Sequence, residues 1–153
     1  MLTWENVYVG YKNGKGNTLF AKRAFKKNEP IFILSGPIVS VPSIYTIPID
    51  FSLFIDPVPF DHPGRYLCHD CEPNAGIKDR YVVIAFRDIA RGEEVAIDYA
   101  MIVYDYGAEM SSENFVCNCL KATCRHFLGS WKTLPDTLKI EYKNYCSEYL
   151  KRP

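Results

Sequence analysis

Along most of the chain, apolar residues gather in short runs separated by charged or Gly/Pro-containing turns. Thr18-Leu19-Phe20-Ala21 and Ile31-Phe32-Ile33-Leu34 are two such runs, bounded by Lys26-Lys27-Asn28-Glu29-Pro30 and Gly36-Pro37. Val/Ile/Phe-rich pieces follow at residues 38–41, 51–55, 81–86 and 95–97, and Arg91-Gly92-Glu93 reads as a turn between the last two. Strands this short and regular predict a mainly β fold of several small sheets. The period then changes. Leu134, Leu138, Tyr142, Tyr145 and Tyr149 recur at helical spacing, after Pro135 and Asp136 in positions that suit a first turn. This pattern predicts one amphipathic helix over residues 135–150, its aromatic stripe packed on the body. The chain has no internal repeats and no low-complexity segments.

A length of 153 residues allows one domain and is too short for two ordinary ones. Aromatic residues make up 14%, with 11 Tyr and 9 Phe, which suits a β-rich core or a pocket lined with rings. Eighteen basic and eighteen acidic residues cancel, so direct nucleic-acid binding and membrane association are not expected. The distribution is uneven: residues 12–27 carry six Lys/Arg and no acid, and residues 88–113 carry seven acids and the single base Arg91. Such runs are ordinarily solvated faces unless a site lies nearby. The N-terminus MLTWENVYVGYKNG lacks a basic head followed by an apolar core, and no apolar run is long enough to cross a bilayer. The expectation is a soluble intracellular protein.

Six cysteines change the picture: Cys68, Cys71, Cys117, Cys119, Cys124 and Cys146. Without a secretory signal, clustered cysteines read better as metal ligands than as disulfides. Cys146 lies alone in the predicted helix and suits a small buried apolar position. Cys117-Asn118-Cys119-Leu120-Lys121-Ala122-Thr123-Cys124 packs three thiols closely enough to wrap one tetrahedral ion, and zinc suits soft sulfur ligands. The fourth position is open to water, His126 or a distant cysteine.

Three further stretches gain meaning together. Arg65-Tyr66-Leu67-Cys68-His69-Asp70-Cys71-Glu72-Pro73-Asn74 resembles the RFINHSCxPN signature of SET domains, and Gly92-Glu93-Glu94-Val95-Ala96-Ile97-Asp98-Tyr99 resembles their GEELTxDY signature. The Cys117–Cys124 run is similar to the CxCx4C post-SET pattern, and Gly16-Asn17-Thr18-Leu19-Phe20-Ala21 looks like the GxGLFA turn. The resemblance runs from about Tyr8 to Gly129, and the tail looks like compact bacterial members.

The resemblance implies a SET fold of the β-clip type, with several small sheets and a C-terminal pseudoknot that joins the NH-like and DY-like segments. It divides the chain into a SET domain (residues 1–107), a post-SET zinc segment (108–129) and a C-terminal helical piece (130–153). It implies methyl transfer from S-adenosylmethionine to a lysine of a basic, histone-like or other protein, in the cytoplasm or beside chromatin. The alternative is a catalytically weak SET fold that binds a partner peptide. Tyr99 takes the catalytic tyrosine position. Gly16, Asn17, Thr18, Leu19, Arg65, Cys68, His69, Tyr99 and Phe115 are the implied cofactor contacts, and Cys71 becomes the fourth zinc ligand beside Cys117, Cys119 and Cys124. Phe54, Tyr104, Tyr106 and Phe115 are candidate channel walls. Residues 55–64 match the segment that often carries substrate specificity, and the acidic run around Tyr99 is the expected docking groove. The sequence departs from the pattern at Cys68, where asparagine is usual, at Thr18, Leu120 and His126, where glycine is usual, and at Asp70, where serine is common.

Overall fold

The computed structural model describes residues 4–106 and 116–152. Strands β1 (Val7–Lys12), β2 (Gly16–Ala21), β3 (Pro30–Ile33), β4 (Ile38–Val39), β5 (Ile47–Asp50) and β6 (Leu53–Ile55) fill the first third of the chain. Strands β7 (Cys68–His69), β8 (Ala75–Lys78), β9 (Val82–Ala85) and β10 (Glu94–Ile97) follow, and helix α1 (Asp136–Tyr142) comes late. The strands form three small sheets, ordered β1-β2-β10-β7, β3-β9-β8 and β4-β6-β5. This is the mainly β, several-sheet architecture expected.

Six of the strands match the apolar runs of the sequence; β1, β5, β7 and β8 do not, each for a local reason. Tyr8, Val9 and Tyr11 of β1 are exposed, so no closed apolar run marks it. Proline interrupts β5 at Pro48, although Ile47 and Ile49 alternate inward. In β8 the interior glycine is required: a Cβ on Gly76 falls 2.6 Å from the Tyr145 carbonyl oxygen. β7 has only two residues, and long-range pairing defines it. Ala96 and Ile97 of β10 lie opposite Cys68 and His69 in parallel register, whereas every other strand pair among the described residues is antiparallel. The NH-like and DY-like motifs therefore meet as one parallel seam.

The predicted helix is shorter than its apolar period. α1 stops at Tyr142, and a 3-10 turn covers Glu148–Lys151. After a local turn in which Tyr145 N–H donates to the Tyr142 carbonyl, the intervening backbone bonds to the body: Ile77 N–H donates to the Tyr145 carbonyl, Ser147 N–H to that of Met101 and Glu148 N–H to that of Asp79. Tertiary partners replace the helical ladder without leaving these groups unpaired. The aromatic stripe is core as expected, with Tyr142, Tyr145, Tyr149 and Cys146 buried beside Phe25, Phe32, Ile77 and Met101. Each fully buried side chain of this size contributes about 1.5–3 kcal/mol. Among the described residues no helix is long and apolar enough to cross a membrane.

Candidate active site

Four sulfurs converge next to the parallel seam. The ligand atoms of Cys71, Cys117, Cys119 and Cys124 all lie within 4.8 Å of one another. A tetrahedral zinc–thiolate site needs sulfurs roughly 3.8 Å apart, given Zn–S bonds of about 2.3 Å. Backbone donors point at the cluster, from Arg125 N–H to Cys71 Sγ (3.4 Å) and from His126 N–H to Cys124 Sγ (3.3 Å). Burial pushes the Cys71 thiol up to about 11 and raises Cys117 as well, whereas at Cys119 hydrogen bonds outweigh burial and lower it, so ionising Cys71 and Cys117 calls for a cation. The donor set fits zinc, with Cys71 in the fourth position. His126 is not in the cluster, and Cys68 and Cys146 stand apart from it.

Leu120 and His126, the two positions where glycine is usual, have φ of 59° and 67°. That left-handed conformation is natural for glycine and strained for other residues.

Immediately after β10, Asp98 caps a 3-10 turn over Tyr99–Met101 by accepting from Ala100 N–H at 3.0 Å. Asp98 is fully buried. Its second oxygen accepts from the Arg125 guanidinium (2.6 Å) and from the Tyr142 hydroxyl (3.0 Å). One carboxylate thus ties the turn to the cysteine-rich segment and to α1. Sequence reasoning assigned no role to Asp98 or Arg125, and to Tyr142 only a place in the core. The available signal was that a buried acid and a buried tyrosine each need a polar partner.

Tyr99 donates its hydroxyl to the Leu67 carbonyl at 3.1 Å. Burial holds its phenol far above the ordinary tyrosine value, so it stays protonated near neutrality. The Tyr99 N–H donates to His69 Nδ1 at 3.0 Å. His69 Nδ1 is therefore an acceptor, which places the ring proton on Nε2, 3.4 Å from Cys71 Sγ. Burial lowers His69 to about 4 despite the neighbouring Asp98. With a neutral ring, the 3.6 Å separation between Asp98 and His69 Nδ1 is a contact and not an ion pair.

The other motif residues divide into two groups. Gly16, Asn17, Thr18 and Leu19 lie on β2 beside β10, and Cys68 Sγ sits 3.6 Å from the Asn17 carbonyl and 3.5 Å from that of Tyr66. Leu19 is a fully buried core side chain, so only its backbone faces the motif. Above this strand end, Glu94 accepts from Lys12, from Lys15 (2.9 Å) and from Thr18 (3.0 Å), while Lys15 also reaches Asp70 at 3.1 Å. Arg65 does not join this group. It donates to the Pro57 carbonyl (2.7 Å), pairs with Asp56 and lies over the Tyr45 ring. Asn74, whose role sequence reasoning also missed, clamps the edge of β10 through the Glu94 carbonyl (2.6 Å) and Ala96 N–H (3.0 Å).

On the other side of Tyr99 opens a cavity of about 850 Å³. Phe54, Tyr104 and Tyr106 line it, as do Arg65, Phe51 and Tyr149. Phe115 lies outside the described residues. Residues 42–48 line the cavity, and of residues 55–64, the expected specificity segment, only Gly64 does. The acidic run does not form a free acidic groove either. Asp88 pairs with Lys26, Glu93 with Arg87, Glu94 with Lys12 and Lys15, Asp98 with Arg125 and Asp105 with Lys132. Glu109 and Glu113 fall outside the described residues.

Comparison with known proteins places these features in a wider set. The family model described as SET domain matches residues 16–100. A histone-lysine N-methyltransferase, H3 lysine-36 specific, of Eremothecium gossypii is 28% identical over 172 aligned positions, covering 98% of this chain and 24% of that protein. A protein of the same description from Yarrowia lipolytica is 33% identical, covering 76% of this chain and 15% of its own length. Among solved structures, that of KRYPTONITE in complex with mCHG DNA and SAH superposes with a TM-score of 0.67 at 22% identity, covering 81% of this chain and 29% of that one. At that identity the likeness is one of fold. The chain spans less than a third of the length of each of these proteins.

Proposed function

The chain belongs to the SET-domain family, and from that premise we propose that it transfers a methyl group from S-adenosylmethionine to the side-chain amine of a lysine in a basic, histone-like protein. The observation that carries the reading is the position of Tyr99. Its ring is on the wall of the aromatic cavity, and its N–H is bound to the His69 ring of the seam. In this reading residues 1–107 form the SET domain, 108–129 the zinc segment and 130–153 a C-terminal piece packed on the same body. The names of the relatives support both the reaction class and a place beside chromatin.

The residues around β2 fit the amino-acid end of that cofactor, which carries one ammonium and one carboxylate. Glu94 and Asp70 offer acceptors, Lys12 and Lys15 offer cations, and a Cβ placed on Gly16 meets nothing within 4 Å, so the backbone there faces open space. When bound, the cofactor supplies a methyl carbon activated by its positive sulfur. The chain's own task is positioning. A lysine amine attacks only when neutral, and a ring-lined cavity disfavours its charged form by desolvation. The Tyr99 hydroxyl, anchored on the Leu67 carbonyl, holds the amine in line as a neutral hydrogen-bonding group. The surrounding rings accommodate the methylated ammonium product through cation–π contact.

The test is methyl transfer from labelled cofactor to histones and other basic proteins, read as methylated lysine. Wild type should transfer, and Tyr99→Phe should fold, keep its zinc, bind cofactor almost normally and lose roughly 10²-fold or more in rate. A folded Tyr99→Phe protein with near wild-type turnover rules out the catalytic role, and a wild type that labels no lysine rules out the reaction.

A further inference from the structure

Cys71 is the one cysteine of the cluster that stands in the seam motif, and its sulfur receives two hydrogen bonds from the protein. One comes from His69 Nε2 and the other from the backbone N–H of Arg125, each at 3.4 Å. Both donor residues reach, from their other ends, into the turn that carries Tyr99. His69 Nδ1 accepts the Tyr99 N–H at 3.0 Å. The Arg125 guanidinium holds Asp98 Oδ2 at 2.6 Å, and Asp98 Oδ1 caps the Ala100 N–H at 3.0 Å.

From this we infer that the metal centre sets the geometry of the catalytic turn through His69 and Arg125, which act as positioning residues between Cys71 and Tyr99. The inference rests on the proposed function only for its consequence in rate, since the structural coupling is separately measurable.

Three features make the two links a transmission path. First, both converge on a single sulfur, so fixing Cys71 in a tetrahedral site fixes the His69 ring and the Arg125 peptide together. Second, both end on consecutive residues of one short 3-10 turn, whose first backbone donors have no partner within the turn itself. The Tyr99 and Ala100 N–H groups are such donors, and His69 and Asp98 are the acceptors that satisfy them. Third, the acceptor ends of the path are dry. The side chains of His69 and Asp98 are 4% and 0% exposed, and the Arg125 side chain between them and the cluster is 23% exposed. Partners in the layer behind a metal's ligands commonly alter affinity or activity by roughly 10–100-fold when changed. Here the same partners also touch the residue that lies beside the reacting atoms.

His69 offers a selective cut. An asparagine at this position places its amide oxygen near the site of Nδ1 and does not extend to the site of Nε2. His69→Asn therefore keeps an acceptor for the Tyr99 N–H and removes the bond to Cys71. Arg125→Met removes the hold on Asp98 and keeps the backbone donor to the sulfur.

The experiment follows residue-resolved amide hydrogen exchange in the full chain, with zinc bound and after removal by a strong chelator, using the β9 amide of Val83 as the internal reference. In wild type, zinc removal should speed exchange at Tyr99 and Ala100 at least about tenfold more than at Val83. In His69→Asn and Arg125→Met this zinc-dependent excess should shrink, and in the double variant it should vanish, although each variant still takes up one zinc. Turnover at saturating substrates should fall about tenfold in each single variant with little change in KM. Equal acceleration at Tyr99, Ala100 and Val83 overturns the inference, because zinc then stabilises only the fold. Zinc-dependent excess that persists unchanged in His69→Asn and Arg125→Met overturns it as well. If the double variant does not fold, the wild-type comparison and the single variants decide. If the chain methylates no lysine, the exchange measurements still stand, so failure of the reaction and failure of the coupling are told apart.

Discussion

Replacing Leu120 and His126 with glycine should stabilise the protein. Both residues hold φ near +60°, where an L-residue is disfavoured by roughly 1–2 kcal/mol. Glycine relieves that strain but gives the unfolded chain more freedom, which takes back about 0.4–1 kcal/mol. The net gain is about 0.5–1 kcal/mol per site. Little packing is lost, because Leu120 is 86% exposed and the His126 side chain is also exposed. The bonds that organise the loop are main-chain at residue 126, from His126 N–H to Cys124 Sγ and from Cys117 N–H to the His126 carbonyl (2.8 Å), so they survive the change. For a domain of this size each kcal/mol shifts Tm by about 2–4 °C. The assay is thermal unfolding of Leu120→Gly, His126→Gly and the double variant at saturating zinc, with zinc affinity measured by competition against a chelator. Because the strain exists only in the folded loop, zinc binding should tighten in parallel. A lower Tm in both single variants would refute the reasoning, since it would mean that the side chains contribute contacts larger than the strain.

Gly76→Ala forces a Cβ to within 2.7 Å of both the carbonyl oxygen and the Cβ of Tyr145; denaturant unfolding should show a loss of about 1–3 kcal/mol, and an unchanged midpoint would show that this contact can relax. Cys68→Asn should tighten S-adenosylmethionine binding about tenfold by adding a carbonyl acceptor for its ammonium; weaker binding by calorimetry counts against the assignment of that motif. Zinc uptake at neutral pH should release protons from the cysteines, measurable as a buffer-dependent binding heat, and uptake without proton release contradicts the buried-thiol picture. Burial raises Glu94, yet the hydrogen bonds of Lys12, Lys15 and Thr18 more than offset it, so its folded pKa lies below its unfolded one. Its stabilisation is present above the ordinary carboxylate range and is lost as pH falls through the lowered value. The Tm difference between wild type and Glu94→Gln should therefore narrow in acid, and a difference constant down to about pH 3 rejects the linkage.

What the sequence revealed follows physical range. Runs such as Ile31–Leu34 and Val95–Ile97 announce strands because their own side chains need burial. The Cys117–Cys124 spacing announces a metal site because three ligands lie within one loop. Cys71 was reachable only through the family resemblance, since nothing local distinguishes it from Cys68. The end of α1 at Tyr142 was invisible, because the competing hydrogen bonds come from Met101, Ile77 and Asp79, all remote in sequence. The acidic run misled for the same reason: its partners Lys12, Lys15, Arg125 and Lys132 arrive by folding. Tyr142, read from its period as a core residue, is buried as expected, but its hydroxyl also serves Asp98.

The parallel seam has a consequence for the order of assembly. Antiparallel neighbours such as β8 and β9 can zip from a short turn, but Cys68 and Ala96 pair only across the whole segment that contains that hairpin. Loop-closure entropy grows slowly with length, about 0.6 kcal/mol per doubling, so the delay reflects sequence order more than distance. During synthesis the β3-β9-β8 sheet can gather as soon as its last strand emerges. Asp98, by contrast, waits for Arg125 and Tyr142, and Cys71 waits for three cysteines that lie 46 or more residues downstream. A nascent chain can therefore pair β3, β8 and β9 before the turn at Tyr99 has its partners, whereas the core closes only when Tyr142, Tyr145 and Tyr149 arrive. The turn at Tyr99 is thus completed late, once Arg125, the last cysteines and Tyr142 of α1 have been made.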